Sequence, residues 1–228
     1  MSKLAYEYNA VNLGQGFPDF DGPDWIKEAA FEAMKDGKNQ YAPTQGTHSL
    51  RRSVANYLNR FYDLNMDSDE EITITAGATE ALYSTIQALI QPGDEVIIFE
   101  PYYDGHQADV ILAGGRPVYV TLRKPDFEFD PEELTKAITD KTKMIIINSP
   151  HNPTGKMFTK DQLNYIASTA IKNDLLVLSD EVYEFMTFDG REHIPMMSID
   201  GMRERTIMIS STGKTFGMTG WKIGYTAA

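Results

Sequence analysis

Short apolar runs rich in β-branched residues alternate along the chain with longer stretches of helical periodicity. Two central runs, at residues 96–99 and 144–147, are apolar at every position, which is typical of strands covered by helices on both faces. The alternation predicts an α/β fold of three layers with a mostly parallel sheet. The predicted strands are 72–74, 95–99, 117–121, 144–148, 175–179 and 206–209.

Helix signals occur between these strands. Asp130 precedes Pro131 and two glutamates, which predicts an N-cap followed by a first-turn proline. Thr159 is followed three residues later by Gln162, the pattern of a capping box. Apolar residues fall on one helical face over residues 50–61, which predicts an amphipathic packing helix. Because no repeat or low-complexity linker interrupts this pattern, we expect one large domain with short edges.

Composition narrows the class of function. The chain has 228 residues, of which 42% are hydrophobic, and a formal net charge of −12, which argues against a nucleic-acid ligand. It has no cysteine, so disulfides and thiol nucleophiles are excluded, and four scattered histidines make a poor case for a metal site. No apolar run reaches the length of a signal or membrane-spanning segment, so we predict a cytoplasmic protein without membrane partners.

The turn after the first predicted strand is a candidate anion site. There Ala76-Gly77-Ala78-Thr79-Glu80 leads into an apolar helix, whose free N–H groups and dipole favour a negative charge. Gly77 allows close approach of a ligand, and Thr79 adds a hydroxyl. An ordinary capped turn between strand and helix is the alternative reading of this segment.

Two further strand ends carry candidate chemistry. Asp180 ends an apolar run, where a carboxylate must meet a cation or a donor unless it simply caps a surface turn. Lys214 follows the last predicted strand among small residues, where it can act as a nucleophilic amine, although a lone lysine is usually a surface residue. A nucleotide-binding loop is excluded there, because Met208 stands where that motif requires glycine.

Seven short motifs follow one another along nearly the whole chain. Each alone admits an ordinary reading, but together, in this order and spacing, they are highly specific. They are Leu13-Gly14-Gln15-Gly16-Phe17-Pro18-Asp19-Phe20, Asn39-Gln40-Tyr41, Ala76-Gly77-Ala78-Thr79, Glu100-Pro101-Tyr102-Tyr103, His151-Asn152-Pro153-Thr154-Gly155, Ser179-Asp180-Glu181-Val182-Tyr183 and Ser211-Thr212-Gly213-Lys214-Thr215-Phe216.

The set resembles the fold-type I aminotransferases that depend on pyridoxal 5'-phosphate (PLP), and within them the kynurenine, glutamine and methionine aminotransferase group. The resemblance implies the large-domain fold of PLP-dependent transferases. Residues 21–228 would form the PLP-binding large domain, and residues 1–20 an N-terminal segment that is truncated relative to the family. The family's small C-terminal domain, with the arginine that binds the substrate carboxylate, would follow Ala228 and is absent from this sequence.

The resemblance also implies roles for individual residues. Lys214 would form the internal aldimine with PLP and then move the proton between the substrate Cα and the cofactor. Asp180 would pair with the protonated ring nitrogen, where a charge-assisted bond keeps the ring an electron sink. Tyr183 and Asn152 would hydrogen-bond the phenolic oxygen of the ring, and Tyr103 would stack on the ring face. Lys214, Asp180 and Tyr183 are therefore the predicted catalytic residues.

By the same resemblance, the cofactor phosphate would lie on the turn after the first predicted strand. Many relatives carry arginine at the position of Lys222, and lysine keeps the charge but loses the bidentate geometry. Gly16 and Asn152 would lie on the substrate side. The residues that would bind the phosphate are Gly77, Ala78, Thr79, Ser211, Lys222 and, from a second subunit, Tyr41.

The implied activity is transfer of the amino group of a neutral L-amino acid, sulfur-containing, amide or aromatic, to a 2-oxo acid. A PLP-dependent carbon–sulfur β-lyase shares this lysine and sheet and is the alternative. A third reading is a non-catalytic truncated fragment. The family's shared interface implies a homodimer, and residues 1–228 alone are expected to be inactive.

Overall fold

The computed structural model describes residues 2–12, 14, 18 and 20–228. Residues 1–40 and 41–228 form two compact units. The first unit contains helices α1 (Ser2–Glu7) and α2 (Asp24–Lys35). The second contains strands β1 (Ile72–Thr75), β2 (Glu95–Glu100), β3 (Arg116–Thr121), β4 (Thr142–Asn148), β5 (Leu176–Asp180), β6 (Thr206–Ser211) and β7 (Gly224–Ala227). Its helices are α3 (His48–Tyr62), α4 (Gly77–Leu89), α5 (Asp104–Leu112), α6 (Pro131–Lys136), α7 (Lys160–Lys172) and α8 (Thr212–Thr215), with short 3-10 helices at Met196–Ser198 and Thr219–Trp221.

The seven strands form one sheet in the order β1-β7-β6-β5-β4-β2-β3. The five strands from β6 to β3 pair in parallel, and β7 runs antiparallel to both of its neighbours. The six strands predicted from the sequence are all present, so the mostly parallel α/β sheet is confirmed. β7 was not predicted, because four residues that begin with glycine give only a weak strand signal.

Alternate residues of the central strands pack into two separate hydrophobic cores, one on each face of the sheet. Ile97 of β2 and Ile145 of β4 pack on one face of the sheet with Leu163 of α7. Their neighbours Ile98 and Ile146 pack on the other face with α4. Since successive side chains of a strand point to opposite faces, an uninterrupted apolar run is what a sheet between two helical layers requires. The three-layer prediction is therefore confirmed.

The predicted helix starts are also present. The Asp130 side chain accepts a hydrogen bond from the Glu132 N–H at 2.8 Å, and Thr159 forms a capping box with Gln162. The amphipathic segment is α3, whose Leu58 is fully buried. Four of the α-helices named above, α1, α2, α5 and α8, were not predicted. Among the described residues, no helix is both long enough and apolar enough to cross a membrane.

Candidate active site

Asp180 and Ser211, which were picked out in the sequence, lie with Asn148 at the carboxyl ends of three neighbouring strands. β4 ends at Asn148, β5 at Asp180 and β6 at Ser211. Asn148 is paired with Asp180, and Asp180 with Ile209, two residues before Ser211. Because the three strands are parallel, their ends place these side chains along one edge of the sheet, where ligands of open α/β folds bind.

Asp180 is a buried acid with only 3% of its surface exposed, so it does not cap a surface turn. Its Oδ2 lies 3.1 Å from Nε2 of His106 on α5. Its Oδ1 accepts a hydrogen bond from the Val182 N–H at 3.4 Å, and its main-chain carbonyl accepts one from the Asn148 amide at 2.9 Å. These contacts fix the carboxyl group and give it a partner away from water.

His106 is a residue of this site that was not identified from the sequence. It is 2% exposed and lies edge-to-face against Tyr103, with 5.4 Å between the ring centroids. It stands three residues after Tyr103, so a helix beginning at that motif would have placed both rings together. A further histidine, His151, has its pKa lowered to about 4, first by burial and then by the charge of His106. His151 is therefore neutral near pH 7.

Lys214 lies on α8, which begins where β6 ends. Its Nζ is 5.8 Å from the centroid of the Tyr183 ring. Burial raises the pKa of Tyr183, and the charge of Asp180 raises it further, whereas a hydrogen bond with Asn152 acts in the opposite direction. The Tyr183 phenol is thus influenced by the Asp180 carboxylate and the Asn152 amide, and it lies near the Lys214 amine.

The start of α4 has the features of an anion seat. Gly77 has a φ of +78°, a region that residues with a side chain rarely adopt. Ala76 provides no side-chain cap, which leaves first-turn N–H groups of the helix for another acceptor. Lys222 lies alongside, since its Cδ is 3.5 Å from the position that a Cβ on Gly77 would take. Burial raises the pKa of the Tyr103 phenol, and the nearby Thr79 hydroxyl acts in the opposite direction.

β7 brings the parts of this seat together. Gly224 is paired with Thr75 of β1 on one side and with Ser211 of β6 on the other. A Cβ on Gly224 would lie 2.3 Å from the carbonyl carbon of Gly77 and 2.5 Å from the nitrogen of Ala78. The turn therefore packs directly on the backbone of β7, and Ser211 is placed beside it.

Among the described residues, Tyr41 forms no hydrogen bond or ring contact with this edge. The Tyr41 side chain is fully exposed, at 102% of its reference surface. Gly16 lies outside the described residues, so its predicted place on the substrate side stays a prediction. The other predicted residues, Ala78 among them, lie on the turns and strand ends described above.

Comparison with known proteins identifies the class. The sequence profile of aminotransferase class I and II matches residues 8–228. The chain belongs to this family. Members of the family are PLP-dependent enzymes.

Individual relatives match nearly the whole of this chain, whereas this chain matches only part of each relative. A probable N-succinyldiaminopimelate aminotransferase of Mycobacterium tuberculosis is 46% identical over 99% of this chain and 57% of its own length. Methionine aminotransferase of Escherichia coli is 41% identical over 100% of this chain and 59% of its own. The solved structure of the M. tuberculosis enzyme matches with a TM-score of 0.96, at 45% identity, over 100% of this chain and 60% of that one. The chain thus spans less than two thirds of these relatives.

The residues at the sheet edge fit the cofactor of this family. PLP carries a phosphate, a ring nitrogen that can be protonated and an aldehyde that reacts with amines. The start of α4 offers free N–H groups beside the Lys222 side chain. Asp180 is a buried acid able to hold a cationic N–H, and Lys214 supplies an amine. Each functional group of the cofactor has a chemically matched partner.

The conformation of Gly77 gives a test of the anion seat. We expect Gly77→Ala to lower the free energy of unfolding by about 1–2 kcal/mol, the usual penalty of a left-handed backbone for alanine. Because the strained turn must also shift its amides, the variant should bind PLP more weakly. Denaturant unfolding and titration with PLP measure the two effects.

Gly37 provides the matched control. Its φ of +79° is nearly that of Gly77, and a Cβ there would meet no atom within 4 Å. Gly37→Ala should therefore lose similar stability and keep its PLP affinity. Equal PLP binding by the two variants would contradict the anion seat.

Proposed function

We propose that this chain is the PLP-binding part of an aminotransferase that transfers the amino group of a neutral L-amino acid to a 2-oxo acid. The observation that carries the proposal is the position of Lys214 at the end of β6. Its amine faces the ring of Tyr183, which follows the buried Asp180 by three residues. Family membership supplies the reaction class for this arrangement.

The bound cofactor would supply an electron sink for the electron pair left at the substrate Cα. Lys214 would hold the cofactor covalently through Nζ and, once free, take the proton from the substrate Cα. Asp180, fixed by His106 at 3.1 Å, would accept a hydrogen bond from the protonated ring nitrogen. Tyr183 and Asn152 would donate to the ring oxygen.

The remaining contacts would orient the cofactor. Gly77, Ala78 and Thr79 would hold the phosphate through their N–H groups, with Ser211 adding a hydroxyl. Lys222 would add a positive charge. Because an ammonium lacks the planar fork of a guanidinium, this contact would be that of a point charge. Tyr103 would cover one face of the ring, a position supported by its contacts with Thr79 and His106.

The names of the relatives support a neutral donor with a sulfur-containing or aromatic side chain. They include methionine aminotransferase of E. coli and human kynurenine–oxoglutarate transaminase 3, which is 44% identical over 98% of this chain. The M. tuberculosis relative is named for a different donor, N-succinyldiaminopimelate. A carbon–sulfur β-lyase is the second candidate, since it uses the same lysine and sheet.

We also propose that the protein is a homodimer in which Tyr41 serves the phosphate of the second subunit. Its support is the full exposure of this aromatic ring, which lies in a motif shared with the family. Sedimentation of the active protein should give twice the subunit mass, and an active monomer would overturn the proposal. The cytoplasmic location stays a prediction from the sequence.

Removal of the Lys214 amine tests the proposed cofactor link. Borohydride reduction should fix PLP to the wild-type chain, with the added mass located on the peptide that contains Lys214. Lys214→Ala should bind PLP without being labelled, because the variant has no amine there to form the covalent link. Mass spectrometry of the digested chain gives the result.

Lys143 is an exposed lysine of β4 and serves as the control. Lys143→Ala should be labelled as strongly as the wild type. Labelling of the Lys214→Ala chain at any other lysine to the wild-type extent would show that the cofactor link lies elsewhere.

Product analysis separates the two candidate reactions. With methionine and 2-oxoglutarate, an aminotransferase should give glutamate and the keto acid of methionine in equal amounts. With a cysteine conjugate, a β-lyase would instead release pyruvate, ammonia and a thiol. The assay should compare residues 1–228 alone with the same residues joined to the remaining length of the E. coli relative.

We expect residues 1–228 alone to be slow in this assay. Orientation of the substrate through its carboxylate lowers the barrier by several kcal/mol, and a bidentate arginine is the usual partner. Comparable turnover by both forms would place the carboxylate site within these residues. Five arginines of the chain already pair with acids: Arg51, Arg116, Arg123, Arg203 and Arg205.

A further inference from the structure

Two buried glutamates follow Asp180 in the segment that leads to Tyr183 and beyond. Glu181 and Glu184 are 1% and 3% exposed, and neither has a part in the chemistry proposed above. The Glu181 N–H donates to the carbonyl of Ile209 in β6 at 2.8 Å, and the Glu184 N–H donates to the carbonyl of Glu181 at 3.1 Å. The backbone of this turn is thereby tied to the neighbouring strand.

The side chain of Glu181 binds the segment that follows the turn. Its Oε1 accepts hydrogen bonds from the Ser179 hydroxyl at 2.7 Å and the Met196 N–H at 3.1 Å, and its Oε2 lies 2.8 Å from Nε2 of His193. The charge of Glu181 raises the pKa of His193 against the opposing effect of burial. These partners belong to β5 and to the segment that follows the turn, so Glu181 links the turn to both.

Glu184 connects the turn to β6 itself. Its Oε1 accepts a hydrogen bond from the Ser210 hydroxyl at 3.1 Å, and its Oε2 accepts one from the Tyr62 hydroxyl of α3 at 2.7 Å. Ser210 has no exposed surface, immediately precedes Ser211 and lies four residues before Lys214. The Glu184 carboxylate therefore links the turn that contains Tyr183 to the end of β6, which leads directly into the helix that carries Lys214.

An acid at this position is unfavourable for folding by itself. Burial raises the pKa of Glu184, and the nearby charge of Glu181 adds to this effect, although the Tyr62 hydroxyl opposes it. A buried ionic group that is replaced together with its partners by apolar side chains of similar volume often costs no stability. Core packing alone therefore does not account for Glu184. The titratable groups that influence it or are influenced by it are Tyr57, Tyr62, Glu181, His193 and Tyr225.

We propose that Glu184 is a positioning residue, which through Ser210 sets the distance between Lys214 on one side and Asp180 and Tyr183 on the other. This inference rests on the proposed function, because those residues are taken to hold PLP. The carboxylate reaches the cofactor residues only through the backbone of the turn and of β6. Its loss should change how the site holds PLP while leaving every proposed contact residue in place.

The test measures PLP affinity and the pH at which the absorption band of bound PLP changes. Glu184→Leu and Ser210→Ala each break the link, and both should weaken PLP binding about tenfold and move the pH midpoint. Glu184→Gln should behave like the wild type, because its amide can donate to the Ser210 oxygen while its carbonyl accepts from Tyr62. Thermal unfolding of each variant without PLP records stability separately.

Two control variants distinguish positioning from stability. Glu95 is also a buried acid, 2% exposed, with hydrogen bonds from Arg116 and Thr139, but it lies at the amino end of β2. Glu95→Leu should lower stability and leave PLP affinity and the pH midpoint unchanged. Tyr62→Phe removes the α3 side of the link alone, and it should change the midpoint less than Ser210→Ala.

The outcomes separate this inference from the proposed function. A wild-type chain that binds no PLP would overturn both. If the wild type binds PLP but Glu184→Leu and Ser210→Ala match Glu95→Leu in affinity and midpoint, Glu184 is structural and only this inference fails. Coupling between the Glu184 and Ser210 changes in the double variant, with the Glu184→Gln rescue, would support the proposal.

Discussion

The exclusion of water from the Asp180 carboxylate is the constraint on which the site depends. An acid that ends a buried strand must be given partners, and the fold provides two for the carboxylate, the His106 ring on one oxygen and the Val182 N–H on the other, while the Asn148 amide holds the main-chain carbonyl of Asp180. Each partner also fixes an element of the site. The need to satisfy one acid thus orders the strand ends around it.

The apolar sheet and the polar edge differ in the side-chain substitutions that they tolerate. In the core, Ile97, Ile98, Ile145 and Ile146 divide between two helical layers, and other apolar residues of similar volume would serve. At the edge, Gly224 has no room for a methyl group, and Gly77 adopts a left-handed conformation. The geometry of the site is therefore set by backbone approach at a few positions, whereas the fold is set by a repeated pattern.

The sequence revealed those parts of the structure that have a local signal. Continuous apolar runs predicted the buried strands, and Asp130 and Thr159 marked helix starts that the structure confirms. His106 was missed because a polar residue in a helix looks like any solvated one until the partner strand is known. β7 was missed for a related reason, since its pairing with β1 and β6 joins residues far apart in the sequence.

The place of β7 in the sheet has a consequence for the order of assembly. The start of α4 is made early in the chain, yet Lys222 and the backbone of Gly224, which complete its surroundings, come about 145 residues later, a separation at which loop-closure entropy slows contact formation. β1 lies at the edge of the sheet and pairs with β7, so its partner strand is synthesised long after it. The surroundings of the anion seat are therefore complete only once β7 has paired with β1 and β6.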